Sequence, residues 1–345
     1  MGGDIRLAIV GCGEITRIGH LPAAASHPGI GTLWLIDADV RRARRLAEQF
    51  HLDCQIAPDY KPVLPQVDAL INALPNSLHA PVNLEAIHAG VHVLCEKPLA
   101  TTAADARACC ELAEEKRVLL AVGMNRRFVA SHTLLPIVLQ EGYLGEVLDY
   151  DWPYGGIFDW TSASGFYFSR TLAGGGALID FGVHLLDSLF EWFGPAVQVD
   201  YQDDDWGSGI EANAILDLQH SGPSGAVKGQ VRVSRTYHLR NRLEIRGTKA
   251  HAQIPADDPD TVVLHRQVGQ SELSDTFRLP NFPATTTFYK QMDNFIESIH
   301  GNQKLESNGW QALRVIKLIE QCYANRRRIP EPWSEVALPG EGAAR

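Results

Sequence analysis

Arg6-Leu7-Ala8-Ile9-Val10-Gly11-Cys12-Gly13-Glu14-Ile15-Thr16 is the stretch whose reading decides the fold. A short apolar β-run enters a turn with two glycines, and a helix-compatible segment follows. Glycines at such a junction allow a tight turn and close approach of backbone to a ligand, and the N–H groups of the helix start favour a pyrophosphate. Thr16 stands where a third glycine would be. A second apolar run, Thr32-Leu33-Trp34-Leu35-Ile36, ends at Asp37, near the distance at which an acidic residue accepts hydrogen bonds from an adenosine ribose. A carboxylate there also repels a 2′-phosphate, which favours NAD over NADP. Arg41 and Arg42 could instead hold that phosphate, so NADP stays as the alternative cofactor.

The alternation continues. Residues 39–50, 77–89 and 102–116 read as helices, and 68–73, 92–95 and 118–122 as buried strands. Strands alternating with helices of this length imply right-handed crossovers and a parallel, doubly wound sheet. Ligands of such sheets sit beyond the carboxyl ends of the strands. Those ends carry Gly11, Asp37, Leu74-Pro75-Asn76, Glu96-Lys97-Pro98 and Asn125-Arg126-Arg127. A solvated surface lysine is a poor account of Lys97, which follows a buried strand and precedes a proline.

The other chemically informative stretch is Gly174-Gly175-Gly176-Ala177-Leu178-Ile179-Asp180-Phe181-Gly182-Val183-His184-Leu185-Leu186-Asp187. Triple glycine before it and Gly194-Pro195 after it punctuate a helix over 177–193. Asp180 and His184 are four apart and share one face, with Asp187 a turn further on. Ionisable groups on an otherwise apolar helix cost desolvation unless paired or used. The pair is either a brace in the core or an acid–base device.

Two domains are the prior for 345 residues. Hydrophobic residues make up 45% and charged residues 21%, ordinary values for a soluble globular protein. A net charge of −10 argues against nucleic acid or an anionic membrane as partner. No apolar run approaches a membrane span. The basic runs Arg41-Arg42-Ala43-Arg44-Arg45 and Arg326-Arg327-Arg328 read as solvated faces. The six cysteines lack ligand spacing and, with no export signal, read as reduced thiols in a cytoplasmic protein. Asp180, His184 and Asp187 could ligate a metal, but with no second histidine or cysteine at ligand spacing none is expected.

With these motifs in order, the chain resembles the Gfo/Idh/MocA oxidoreductases, named for glucose-fructose oxidoreductase and inositol dehydrogenase. Glu96-Lys97-Pro98 is similar to the family's Glu-Lys-Pro signature, and the 174–187 stretch to its Gly-Gly-Gly-x-Leu-x-Asp-x-Gly-x-His-x-x-Asp signature. Leu74-Pro75-Asn76-Ser77-Leu78-His79, Asn125-Arg126-Arg127-Phe128 and the helical pair near 288–299 and 309–324 also match in kind and order. The resemblance covers about 1–330. It implies a Rossmann domain over 1–124, an α+β substrate and oligomerisation domain with a large open, mostly antiparallel sheet over 125–330, and a loose tail over 331–345. It implies that Gly11, Gly13, Glu14 and Ile15 line the pyrophosphate turn and that Asp37 holds the ribose, with Arg42 beside it. Leu74, Pro75, Asn76, His79 and Asn125 would follow the cofactor, and Glu96, Lys97 and Pro98 would border the nicotinamide, with the peptide before that proline often cis. Lys97, Asp180 and His184 match the catalytic positions, and a homodimer or homotetramer through the open sheet is implied.

From about 146 the helix–strand alternation gives way to strands over 146–154, 196–203, 212–218, 226–234, 242–246 and 261–265, as in an open sheet. Between Tyr150 and Arg170 lie eight aromatics (Tyr150, Trp152, Tyr154, Phe158, Trp160, Phe166, Tyr167, Phe168), either a hydrophobic loop over the core or a lid that stacks on a sugar ring. Tyr154, Trp160 and Tyr167 are the candidate stacking residues, and Arg127 or Arg170 would reach a hydroxyl or carboxylate. The resulting expectation is an NAD(P)-dependent oxidoreductase acting on a secondary alcohol of a sugar, sugar derivative or cyclitol. His184 is the best candidate for the general base, with Asp180 to orient it and favour its imidazolium. Lys97 either stabilises the alkoxide, holds the hydroxyl in place or, as the resemblance implies for some relatives, carries the proton itself. The alternatives are an NAD-dependent glycoside hydrolase working by transient oxidation and a non-catalytic cofactor sensor.

Overall fold

The computed structural model describes residues 4–160, 164–205, 207–222, 225–280 and 286–329; the tail expected over 331–345 lies outside them. The amino-terminal half runs β1 (Ile5–Val10), α1 (Leu21–Ser26), β2 (Ile30–Ile36), α2 (Val40–Gln49), β3 (Gln55–Ala57), β4 (Ala69–Asn72), α3 (His79–His88), β5 (His92–Cys95), α4 (Ala103–Lys116) and β6 (Leu120–Val122). Its six strands pair in parallel in the order β3-β2-β1-β4-β5-β6. Helices cover both faces, which is why β4 and β6 are buried along their whole length and read as unbroken apolar runs. The order in which strands are added reverses between β1 and β4, so the cleft opens there.

The chain continues through α5 (Ala130–Gln140), β7 (Val147–Gly155), α6 (Arg170–Ala173), α7 (Val183–Phe193), β8 (Ala196–Asp203), β9 (Asn213–Gly222), β10 (Gly225–Ser234), β11 (Leu243–Gly247), β12 (His251–Ile254), β13 (Thr261–Val268), β14 (Ser271–Arg278), α8 (Thr287–Ile299), α9 (Gly309–Ala324) and β15 (Arg327–Arg328). Nine strands form a second sheet, in the order β14-β13-β12-β11-β7-β10-β9-β8-β15. It is mixed: β7 runs parallel to β10, and β15 to β8, while the other pairs are antiparallel. Sequence alternation did not reveal β3, β12 or β14, which are short or exposed.

The inner face of this sheet packs on α7. Trp152 stacks on Trp192 with ring centroids 5.6 Å apart, and Tyr150 on Phe193 at 5.5 Å, so these two aromatics belong to the core and not to a lid. The outer face carries ion pairs, including Arg232 and Arg240 on Asp151 and Arg246 on Asp149. Helix α9 packs on α4 from the first half and on α7 and β8 from the second, fixing one sheet against the other. Its start is secured by a capping box between Asn308 and Gln311. Nor is the second basic run a solvated face throughout: the Arg326 guanidinium lies against Asp203 at 2.8 Å and also faces Asp205. No helix among the described residues is long and apolar enough to cross a membrane.

Candidate active site

A cleft of about 700 Å³ runs from the Gly11-Cys12-Gly13 turn to α7. At its first end Gly11 has φ +98°, and a Cβ there would lie 2.5 Å from the Ala73 carbonyl oxygen, so only glycine fits the crossing of β1 and β4. Around Gly13 there is open space. Thr16 is buried, and its hydroxyl donates to the Gly11 carbonyl at 2.6 Å, bracing the turn where a third glycine would merely pack. The Asp37 carboxylate accepts from the backbone N–H of Cys12 at 3.0 Å and of Asp39 at 2.9 Å, with Arg42 Nη1 at 3.7 Å. Arg42 lines the cleft, so the first basic run is not wholly a solvated face either; Arg41 is exposed and pairs with Asp39.

Along the wall lie Glu14, Ile15, Leu74, Pro75, Asn76, Glu96 and Asn125. Asn76 also donates to the Ala173 carbonyl at 2.8 Å, tying this wall to the triple-glycine loop. His79 also lines the cleft. It is fully buried, with its ring nitrogens 2.6 Å from the Pro98 carbonyl and 2.8 Å from that of Leu74. It therefore joins two loops at the cleft wall. Glu96 lies 2.7 Å from His20 Nε2 and accepts from the Lys97 N–H at 3.1 Å. Burial opposes its ionisation, but His20 and Lys97 outweigh it and hold the carboxyl below the usual range.

At the far end the chain begins α7 with a widened π-turn, Leu178–Gly182. Such turns free backbone groups and are common at functional sites. Here the Asp180 carbonyl accepts from Lys97 Nζ at 2.9 Å, and the Asp180 carboxylate accepts from the same Nζ at 2.7 Å. The other carboxylate oxygen accepts from Arg235 Nη2 at 2.9 Å. Burial would raise the Asp180 carboxyl, yet the two cations keep it below the usual range. The Lys97-Pro98 peptide is cis.

Two expectations fail at this point. Asp180 does not orient His184, because both of its oxygens are engaged by Lys97 and Arg235. His184 Nδ1 is buried without a partner among the described residues. Nor is the imidazolium favoured: burial first, then the charges of Lys97 and Arg126, push the ring well below its ordinary value. Asp187 leaves the site altogether. Its carboxylate takes a bidentate bond from Arg127, at 2.7 and 2.6 Å, and both side chains are 3% exposed. Arg127 is therefore a buried strut, not a substrate ligand, and Asp187 is not available to a metal. Arg170 is not at the cleft either; it lies over Tyr323 and bonds the Gly174 carbonyl.

Of the aromatics, Tyr154, Phe158, Trp160, Phe166 and Tyr167 line the cleft, whereas Phe168 is 67% exposed. Burial raises the Tyr167 hydroxyl above its ordinary value, so it is a donor. Two further arginines bear on the site. Arg235 follows β10 directly and keeps the parity of the inward Val231 and Val233, a signal that was present. Arg126, neighbour of the mistaken Arg127, lines the cleft with its guanidinium 4.2 Å from the Tyr154 ring centroid; adjacent residues of a tight turn point differently, and the sequence does not say which points in.

Two family models match the chain. One described as an oxidoreductase family with an NAD-binding Rossmann fold matches residues 5–124, and the GFO/IDH/MocA C-terminal domain matches 137–253. The chain belongs to the Gfo/Idh/MocA family. As a member it is an oxidoreductase whose first sheet is built for a nicotinamide dinucleotide. The D-glucoside 3-dehydrogenase of Escherichia coli (strain K12) is 30% identical over 200 residues, 56% of each protein, so this match spans about half of that relative. The dTDP-3,4-didehydro-2,6-dideoxy-alpha-D-glucose 3-reductase of Streptomyces antibioticus is 24% identical over 94% of this chain and 97% of its own length. Levoglucosan dehydrogenase in complex with NADH and levoglucosan superposes with a TM-score of 0.81 at 20% identity, covering 93% of this Gfo/Idh/MocA chain and 97% of that one.

Proposed function

We propose that the chain moves hydride between NAD and a secondary alcohol carbon of a sugar, sugar derivative or cyclitol. The observation that carries this reading is Lys97 Nζ, held 2.7 Å from Asp180 Oδ1 in the same cleft as the glycine turn. The residues present fit the dinucleotide. Gly13 leaves open space for a pyrophosphate at the helix start, and Asp37 is anchored by two backbone N–H groups with its carboxylate toward the ribose end. When bound, the nicotinamide supplies the redox chemistry. Lys97, locked by Asp180, offers its ammonium to the reacting oxygen and stabilises the alkoxide as the proton departs. His184, kept neutral by its surroundings, is able to accept that proton. With no carboxylate behind it, more of the work falls on Lys97. Tyr154, Trp160 and Tyr167 offer faces for the ring, and a homo-oligomer through the open sheet completes the reading; a monomer by light scattering would count against that last point.

The test is a screen of sugars and cyclitols with NAD and with NADP, following reduced nicotinamide and analysing products. Oxidation at one secondary carbon is the expected result. Tightly held cofactor with bond cleavage and no net reduction would instead favour glycoside hydrolysis. NAD should bind more tightly than NADP, and Asp37→Ser should narrow the gap. An unchanged ratio in that variant would mean that another residue makes the choice.

A further inference from the structure

The cations around the cleft are not all balanced. Lys97 and Arg235 share the Asp180 carboxylate, and Arg42 faces Asp37. Arg126 is different. Its guanidinium is half-buried at the cleft wall with its central carbon over Tyr154, 4.2 Å from the ring centroid, yet among the described residues it has neither a carboxylate at ion-pair distance nor a hydrogen-bond partner. Its charge reaches the substrate end, since it helps to suppress protonation of His184. The remaining acid on this side, Asp159, is exposed at the rim. A half-buried charge without a counter-ion becomes costly once a ligand displaces the water around it. A planar guanidinium with one face on an aromatic ring presents its N–H edge as a fork for a carboxylate or phosphate.

We infer that Arg126 recognises an anionic group on the substrate, so that the sugar oxidised or reduced here is an acidic one, bearing a carboxylate or a phosphate. The inference rests on the sugar reading above and narrows it. Tyr154 acts as the platform that holds the guanidinium plane, and Phe181, edge-on to Tyr154 with ring centroids 5.8 Å apart, carries that plane's position back to the Asp180 turn. The anion anchors one end of the sugar while Lys97 and His184 meet the reacting hydroxyl.

Calorimetry on the NADH-loaded protein, where no turnover occurs, tests it with matched twins: methyl glucuronide against methyl glucoside, and glucose 1-phosphate against glucose. The acidic member of at least one pair should bind about ten- to hundredfold more tightly, the scale of a hydrogen bond to a charged group. Which pair shows the gap tells carboxylate from phosphate. Arg126→Gln should reduce the gap to about twofold, and Arg126→Lys, which keeps the charge but loses the fork, should fall between; melting curves would verify that both are folded. Equal affinities within both pairs, or a gap that survives Arg126→Gln, would overturn the inference and leave the sugar reading standing. Weaker NADH binding in Arg126→Gln with an unchanged gap would also overturn it, assigning the residue to the cofactor. If NADH binds and no sugar of either kind does, the sugar reading falls and the inference with it.

Discussion

Asp180 holds two cations at once, Lys97 on one carboxylate oxygen and Arg235 on the other, and this sharing makes separable predictions. Lys97→Ala should lower turnover by about 10²–10⁴-fold, the scale of a positioned proton-handling group, while the protein still binds NAD. Arg235→Gln removes one of the charges that hold the Asp180 carboxyl down. Its ionisation then moves to higher pH, so the acid limb of the kcat–pH profile should move upward too; an unmoved limb would mean that Asp180 does not govern it. Arg127 predicts differently, because its partner Asp187 is buried with it and burial already raises that carboxyl. Arg127→Ala strands a buried acid and should destabilise by about 3–5 kcal/mol. Asp187→Asn should behave less severely in denaturant melts, since it leaves a neutral group that can still accept a hydrogen bond. Equal losses would show that packing, not charge, dominates there.

At the scale of elements, the triple glycine is explained by what crowds it. Gly174 has φ +81° and ends α6. A Cβ on Gly175 would lie 2.1 Å from the Tyr323 hydroxyl, and one on Gly176 would lie 1.9 Å from the Glu211 carbonyl oxygen. The Glu211 side chain then accepts from the N–H groups of Gly176 at 3.0 Å and Leu178 at 2.9 Å. It therefore satisfies the free donors where the π-turn begins. Gly176→Ala must push the loop before β9 away from the start of the helix, so it should cost about 1–3 kcal/mol and also disturb Asp180, four residues on. Loss of activity in step with melting temperature is expected. Normal activity at a lowered melting temperature would show that the turn tolerates the shift. Glu211→Ala should give the same coupled loss by removing the cap.

For the whole molecule, several histidines are folded in as neutral rings. Burial lowers His184, His79, His92 and His220, and it lowers His132, beside Arg127, to about 4. The sign follows from linkage. Below the unfolded value of about 6.5 the unfolded chain gains protons that the folded chain refuses, so stability is lost as pH falls from there toward about 4. The lowered carboxyls of Asp180 and Glu96 add their own loss only at more acidic pH, and the raised carboxyls of Asp187 and Glu211 act in the opposite sense. The melting temperature should therefore drop between pH 7.5 and 5, and His132→Gln should flatten the drop. An equal slope in that variant would remove His132 from the account.

The meeting of Lys97 with Asp180 in one cleft was implied by the family resemblance; the sequence by itself determined the parallel sheet, the glycine turn and Asp37 at the end of β2. These follow from short-range rules: apolar periodicity, glycine at special backbone angles, and the fact that strand ends of a parallel sheet converge. Helix spacing also put Asp180 and His184 on one face, but spacing carries no information about which partner a charge will take. That was decided by Arg235, arriving from β10 on a different sheet and engaging the oxygen expected for His184. The same holds for the two arginines after β6. Arg127 was buried because Asp187 lay across from it, and Arg126 was left facing the cleft because nothing acidic did. Charge pairing across elements depends on distances that only the packed chain sets, so the site's electrostatics were decided by the tertiary structure.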